Sequence, residues 1–164
     1  MIFPLRLFQA FHILRRALYS QPLLSCVLGY YMYIDSQNAQ VNNVARLTSP
    51  TYTTSTDQCL EIFIYLYGTN VGTLNIYVLE KDKDVTKQIP VWSRSHSEDD
   101  KWLIARTPVS LINKDFKVVF EATVGGTSLA VIAIDDFRIV DGTCLHHGKW
   151  LLEFKKKNTK ITDL

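Results

Sequence analysis

Two adjacent carboxylates, Asp135 and Asp136, interrupt an apolar run that begins at Val131 and ends at Val140. Of all the residues in the chain, their types and setting point most directly to chemistry. Neighbouring side chains in an extended strand point to opposite faces, so one of the two is expected to point inward. A carboxylate taken out of water needs hydrogen bonds, a cation or a proton. Oxygen ligation of Ca²⁺ or Na⁺ would supply the cation. A backbone turn, or one of Arg46, Arg106 and Arg138, would answer the charge equally well. Glu121 lies in a second strand-like run and forms with Asp135 the residue types of a glycosidase pair, but nothing sets their separation. His146 and His147 are adjacent, which is not the spacing of a zinc site, and His96 sits in a polar loop. Gly-x-Ser-x-Gly, a phosphate-cradling glycine loop and His-Glu-x-x-His do not occur. Phe63, Tyr65, Tyr67 and Tyr77 alternate as core residues of half-buried strands do, a ligand platform being the other reading.

The elements that must position these residues have a period of two. Alternation predicts strands over 29–34, 44–48, 59–67, 73–79, 101–109, 115–124 and 129–140. Ser49-Pro50, Gly68 to Gly72, Pro90 and Gly125-Gly126 punctuate them. The glycine turns at 68–72 and 125–126 are each expected to close an antiparallel hairpin. The hydrophilic stretch Glu80 to Lys101 reads as exposed loop. Strands at this spacing without long helices predict an all-β, antiparallel β-sandwich. Residues 1–28 differ: Phe3, Leu7, Phe8, Phe11, Leu14 and Leu18 have helical spacing, which predicts an amphipathic helix or a poor signal peptide. Residues 145–164 read as a basic tail or linker, with Lys155-Lys156-Lys157 after Trp150 and Phe154. No apolar run reaches the ~18 residues of a spanning helix.

Composition bounds the rest. A chain of 164 residues, 47% hydrophobic and 12% aromatic, predicts one domain with a real core. The net charge of +2 is unevenly spread: the two ends are basic, while residues 29–144 carry more acid than base. That argues against a nucleic-acid surface. Three cysteines would be reduced thiols in the cytosol, or one disulfide and a remainder outside the cell.

Several motifs in fixed order resemble the MAM domain of meprins, neuropilins and receptor-type tyrosine phosphatases. They are Gly29-Tyr30-Tyr31-Met32, Ala45-Arg46-Leu47-Thr48-Ser49-Pro50, the Cys59 to Gly68 strand, and Val71-Gly72-Thr73-Leu74. Phe120-Glu121-Ala122, Ile132-Ala133-Ile134-Asp135-Asp136-Phe137 and Gly142-Thr143-Cys144 complete the set. The resemblance covers residues 29–144 and implies a jelly-roll sandwich. It also implies a Cys59–Cys144 disulfide, closing a loop of 85 residues worth about 4–5 kcal/mol in the chain-entropy model. Cys26 aligns with no family cysteine and is expected to be a free thiol. The family's acidic opening segment has no counterpart here, so residues 1–28 read as a non-family segment before a truncated domain. Family members bind a metal ion near the strand that holds Asp135 and Asp136.

The implied function is a non-catalytic, extracellular adhesion or recognition module, part of a larger membrane-anchored or secreted protein. Its partner is expected to be a protein at the cell surface, homophilic or heterophilic. Trp92, Arg94, His96 and Trp102 are the expected interaction residues, because loops on a rigid sandwich carry contacts. Two alternatives are a carbohydrate-binding sandwich, with Trp92 or Trp102 stacking on a sugar, and an accessory domain of a membrane metalloprotease.

Overall fold

The computed structural model describes residues 12–15, 30–35, 39–97, 100–111, 113–126 and 130–144. Among the described residues ten strands run β1 (His12–Arg15), β2 (Tyr30–Asp35), β3 (Val44–Thr48), β4 (Tyr52–Thr53) and β5 (Gln58–Tyr67). They continue β6 (Gly72–Glu80), β7 (Trp92–Arg94), β8 (Leu103–Val109), β9 (Asp115–Val124) and β10 (Val131–Asp141). One 3₁₀ turn, Val85–Lys87, lies between β6 and β7, and the Asp84 carboxylate caps it by accepting from the Thr86 amide. The strands form two antiparallel sheets, β1-β2-β10-β5-β8 and β3-β9-β6-β7, with β4 also paired to β9. The fold is the all-β sandwich that the alternation predicts.

The core lies between the sheets. Leu60, Ile62, Ile64 and Leu66 of β5, with Ile132 and Ile134 of β10, face Leu74, Ile76, Phe116 and Val118 of the other sheet. Burial of such side chains is the main stabilising term, roughly 25 cal/mol per Å² of apolar surface removed from water.

Both expected hairpins are corrected. β5 and β6 belong to different sheets, and so do β9 and β10, so the turns at 68–72 and 125–126 carry the chain across the sandwich. Alternation reports which side of a strand is buried, not which strand lies beside it. These two crossovers pack against each other: the Gly126 amide donates to the Asn70 carbonyl at 3.1 Å. A Cβ on Gly125 would sit 1.7 Å from that same oxygen, so no other residue fits there.

Two further differences concern the segments outside the strong alternation. Within the predicted Glu80 to Lys101 loop, Trp92–Arg94 forms β7 on β6. In the predicted N-terminal helix, His12–Arg15 is instead a strand paired with β2. The rest of that predicted helix lies outside the described residues. Cys26, His146, His147 and the tail residues 145–164 lie outside the described residues. Among the described residues no helix is long and apolar enough to cross a membrane.

Candidate functional site

The Asp135-Asp136 pair sits on a β-bulge. Pairing of β10 with β5 runs in register from Val131↔Tyr67 to Asp135↔Phe63, then resumes at Arg138↔Glu61. Asp136 takes the extra position, with φ at 47°, and its amide donates to the Asp135 carboxylate at 2.9 Å. The expectation of an inward carboxylate is therefore overturned: Asp135 is partly buried, Asp136 is exposed, and the bulge turns Phe137 into the core instead. Phe137 meets Phe120 edge-on at 5.2 Å and Tyr52 at 6.4 Å. Calcium takes about six to eight oxygens; Asp135 accepts one backbone hydrogen bond, and among the described residues no group of three His, Cys, Asp or Glu converges.

Among the described residues two carboxylates are buried, one on the outer face of each sheet, and arginines hold both. Glu61, 4% exposed, stands on β5 directly between Arg106 of β8 and Arg138 of β10. Arg106 Nε donates to Oε1 at 2.7 Å; Arg138 donates to Oε2 through Nε at 2.8 Å and through its terminal nitrogen at 2.5 Å. Burial works to raise the Glu61 carboxyl, but the hydrogen bond from Arg106 and the charge and hydrogen bond of Arg138 outweigh it and hold it below the usual range. On the opposite sheet Glu121 accepts from Arg46 Nε at 2.6 Å and from the Tyr77 hydroxyl at 3.1 Å. Burial, then the bond to Glu121, raises the Tyr77 phenol. Glu121 and Asp135 belong to opposite sheets, so they form no catalytic pair.

The outer face that carries Glu61 also carries a continuous row of rings. Tyr33 and Tyr31 on β2 are 6.2 Å apart, and Tyr31 meets Trp102 edge-on at 5.6 Å. Trp102 reaches Tyr65 of β5 at 5.4 Å, and Tyr65 lies nearly parallel to Tyr67 at 6.0 Å. Alternation brings them together: Tyr65 and Tyr67 share the side of β5 opposite to Ile64 and Leu66. Ala133 of β10, between Tyr33 and Tyr65 in register, is the small floor beneath the rings and is 1% exposed. The Tyr65 hydroxyl donates to Asp100 at 2.7 Å. Burial first, and then that carboxylate, push the Tyr65 phenol well above its ordinary range. Tyr67, at the end of the row, is 45% exposed.

The four expected interaction residues do not converge. Trp102 belongs to the aromatic row, but Trp92 packs against the core from the β7 edge. Arg94 donates to the His96 carbonyl at 3.3 Å on that same edge. Cys59 and Cys144 form the disulfide, with Cα atoms 5.0 Å apart. Sequence reasoning did not find the Glu61 triad or the part played by Tyr31 and Tyr33. An acid among apolar residues of β5 was the visible signal for Glu61; its partners depended on register.

A family model, the MAM domain (meprin/A5/mu), matches residues 22–145 of the chain. The chain belongs to the MAM family. Among its relatives, thyroid hormone-induced protein B of Xenopus laevis is 36% identical over 118 residues, which is 71% of this chain and 17% of that protein. MAM domain-containing glycosylphosphatidylinositol anchor protein 1 of Homo sapiens is 35% identical, over 71% of this chain and 12% of its own length. This MAM chain thus spans less than a fifth of these relatives. In fold it is similar to the K1 cleaved adhesin domain of Lys-gingipain from Porphyromonas gingivalis, with a TM-score of 0.62 at 9% identity, covering 85% of this chain and 91% of that one.

Proposed function

We propose that this MAM domain is a non-catalytic extracellular recognition module that binds a protein partner at the cell surface, within a larger membrane-anchored protein. The observation that carries the reading is the ring row from Tyr33 to Tyr67 on the outer face of a rigid sheet. Tyr and Trp are the residues most enriched in binding hot spots, and they lose little rotamer entropy on contact. The described buried carboxylates support a structural role for the acids, because Glu61 and Glu121 are committed to arginines. Arg94 and His96 lie on the β7 edge of the other sheet and would act as a separate contact. Relatives whose printed name includes a glycosylphosphatidylinositol anchor support the cell-surface placement.

The test uses beads coated with the domain, mixed with each other and with a panel of cell-surface ectodomains. Retention that Tyr67→Lys reduces at least tenfold, with thermal stability unchanged, is the expected result. Binding indifferent to Tyr67→Lys would overturn the assignment of the face, and no retention of any protein would overturn the reading. The near-parallel Tyr65 and Tyr67 rings favour one second reading, a saccharide stacked on them. Selective retention on a glycan array, lost in Tyr67→Lys, would replace the first reading with that one.

A further inference from the structure

Two groups of rings lie in the sandwich, and they differ in what they can carry. Between the sheets Tyr52 meets Phe116 at 5.8 Å and Phe137 at 6.4 Å, and Phe137 meets Phe120 at 5.2 Å. Phenylalanine does not give up an electron to biological oxidants, so it interrupts that group. The contacts from Tyr33 to Tyr67 along the outer row join only tyrosine and tryptophan. These are the two aromatic side chains that lose one electron readily.

Within the row, chemistry and exposure set a direction. Trp102 is half-buried and reaches Tyr65 at 5.4 Å. Tyr65 lies within 18° of parallel to Tyr67 at 6.0 Å, and Tyr67 is 45% exposed. A tyrosine that loses an electron also loses its phenolic proton, so a proton acceptor must be in place. Tyr65 has one: its hydroxyl donates to the exposed Asp100 carboxylate at 2.7 Å. Burial, and then Asp100, hold this phenol in its protonated form, so its oxidation must move the proton together with the electron. Near neutral pH an indolyl radical oxidises a phenol, which sends the oxidising equivalent from Trp102 outward.

We infer that Trp102, Tyr65 and Tyr67 form a radical relay whose exposed end, Tyr67, is a site of oxidative coupling to an outside phenol, a tyrosine of a neighbouring protein. The co-reactant is hydrogen peroxide acting through a haem peroxidase. The oxidant takes one electron from Trp102, and the indole N–H proton passes to water. The indolyl radical then takes an electron from Tyr65 and a proton from water, while the Tyr65 proton goes to Asp100. Tyr65 recovers its electron from Tyr67 and its proton from Asp100, and the Tyr67 proton goes to water. The Tyr67 phenoxyl and a second phenoxyl, made by the same oxidant, join through ring carbons ortho to oxygen. The ring protons at the new bond move to the two oxygens, and one peroxide leaves as two waters. The relay does not depend on which partner the aromatic face binds.

Pulse radiolysis with azide radical, which takes an electron from indole in preference to phenol near neutral pH, tests the relay. The full chain carries Trp92→Phe and Trp150→Phe, so that Trp102 is its one indole. The expected result is indolyl absorption that decays into phenoxyl absorption at a rate independent of protein concentration. Tyr65→Phe removes that phase, Asp100→Asn slows it about tenfold or more, and Tyr31→Phe leaves it unchanged. With peroxide, peroxidase and N-acetyltyrosinamide, mass spectrometry of the natural chain finds a dityrosine adduct at Tyr67, which Tyr65→Phe and Trp102→Phe each reduce severalfold. An intramolecular phase that survives Tyr65→Phe, a rate that scales with protein concentration, or a Tyr67 adduct indifferent to Tyr65→Phe would overturn the inference. Circular dichroism checks the fold of each variant. Should Trp92→Phe unsettle it, the radiolysis compares the natural chain with Tyr65→Phe, since Trp92 and Trp150 are common to both.

Discussion

Replacing Glu61 by glutamine removes one charge and almost no volume from the outer face of β5. The carboxylate accepts three hydrogen bonds at 2.5–2.8 Å from Arg106 and Arg138. Its side chain is 5% exposed, those of the arginines 25% and 32%. Removing one partner of a fully buried pair costs about 3–5 kcal/mol, because the other charge is left without an answer. Here the guanidiniums retain partial contact with water, which lowers the penalty. Glutamine also turns an amide donor towards one arginine, so a cost of about 2–3 kcal/mol is expected. Urea unfolding followed by tryptophan fluorescence, under two-state conditions, measures it.

The pH dependence supplies a second check. The folded-state pKa of Glu61 is depressed, so its contribution is complete above the unfolded value of about 4.3 and disappears as pH falls through the folded value. The stability gap between wild type and Glu61→Gln should therefore be constant near neutrality and shrink below about pH 4.3. A gap under about 0.5 kcal/mol at pH 7, or one that widens in acid, would refute the account of this triad.

Gly125→Ala should be among the most damaging single changes, costing about 3 kcal/mol or more by thermal unfolding, because its Cβ would collide with the Asn70 carbonyl at 1.7 Å. Asp136→Gly should be neutral or stabilising by up to about 1 kcal/mol in the same assay, since φ of 47° strains any residue with a Cβ.

The strands of the two sheets were largely legible. β3 and β9 have the bounds that alternation predicts, β5 differs by one residue at one end, and β2 and β6 differ by one residue at each end. Their cores alternate cleanly, and Gly68, Gly72 and Gly125 mark where they stop. Sheet membership was not legible. A glycine turn serves a hairpin or a crossover equally, so β5–β6 and β9–β10 read as hairpins. The bulge left a trace that can be read afterwards: buried apolar positions are even at Ile132 and Ile134, then odd at Phe137 and Ile139. A phase change of one residue is the sign of an inserted position. The Glu61 triad was hidden for a different reason. Arg106 and Arg138 are 45 and 77 residues away in sequence, and only register brings them beside the acid.

The Cys59–Cys144 bond acquires a mechanical meaning in a protein that works under load. Tension applied between the two ends of the domain enters at the N-terminal strands, reaches Cys59, and crosses covalently to Cys144. Everything from β5 to β10 lies within that shortcut and cannot be reeled out while the bond lasts. β1 to β4 lie before it and form the extensible part. The ring row straddles this boundary, with Tyr31 and Tyr33 on the yielding side and Tyr65, Tyr67 and Trp102 on the shielded side. Pulling would thus split the row at the β2–β10 seam, while the shielded rings keep their places.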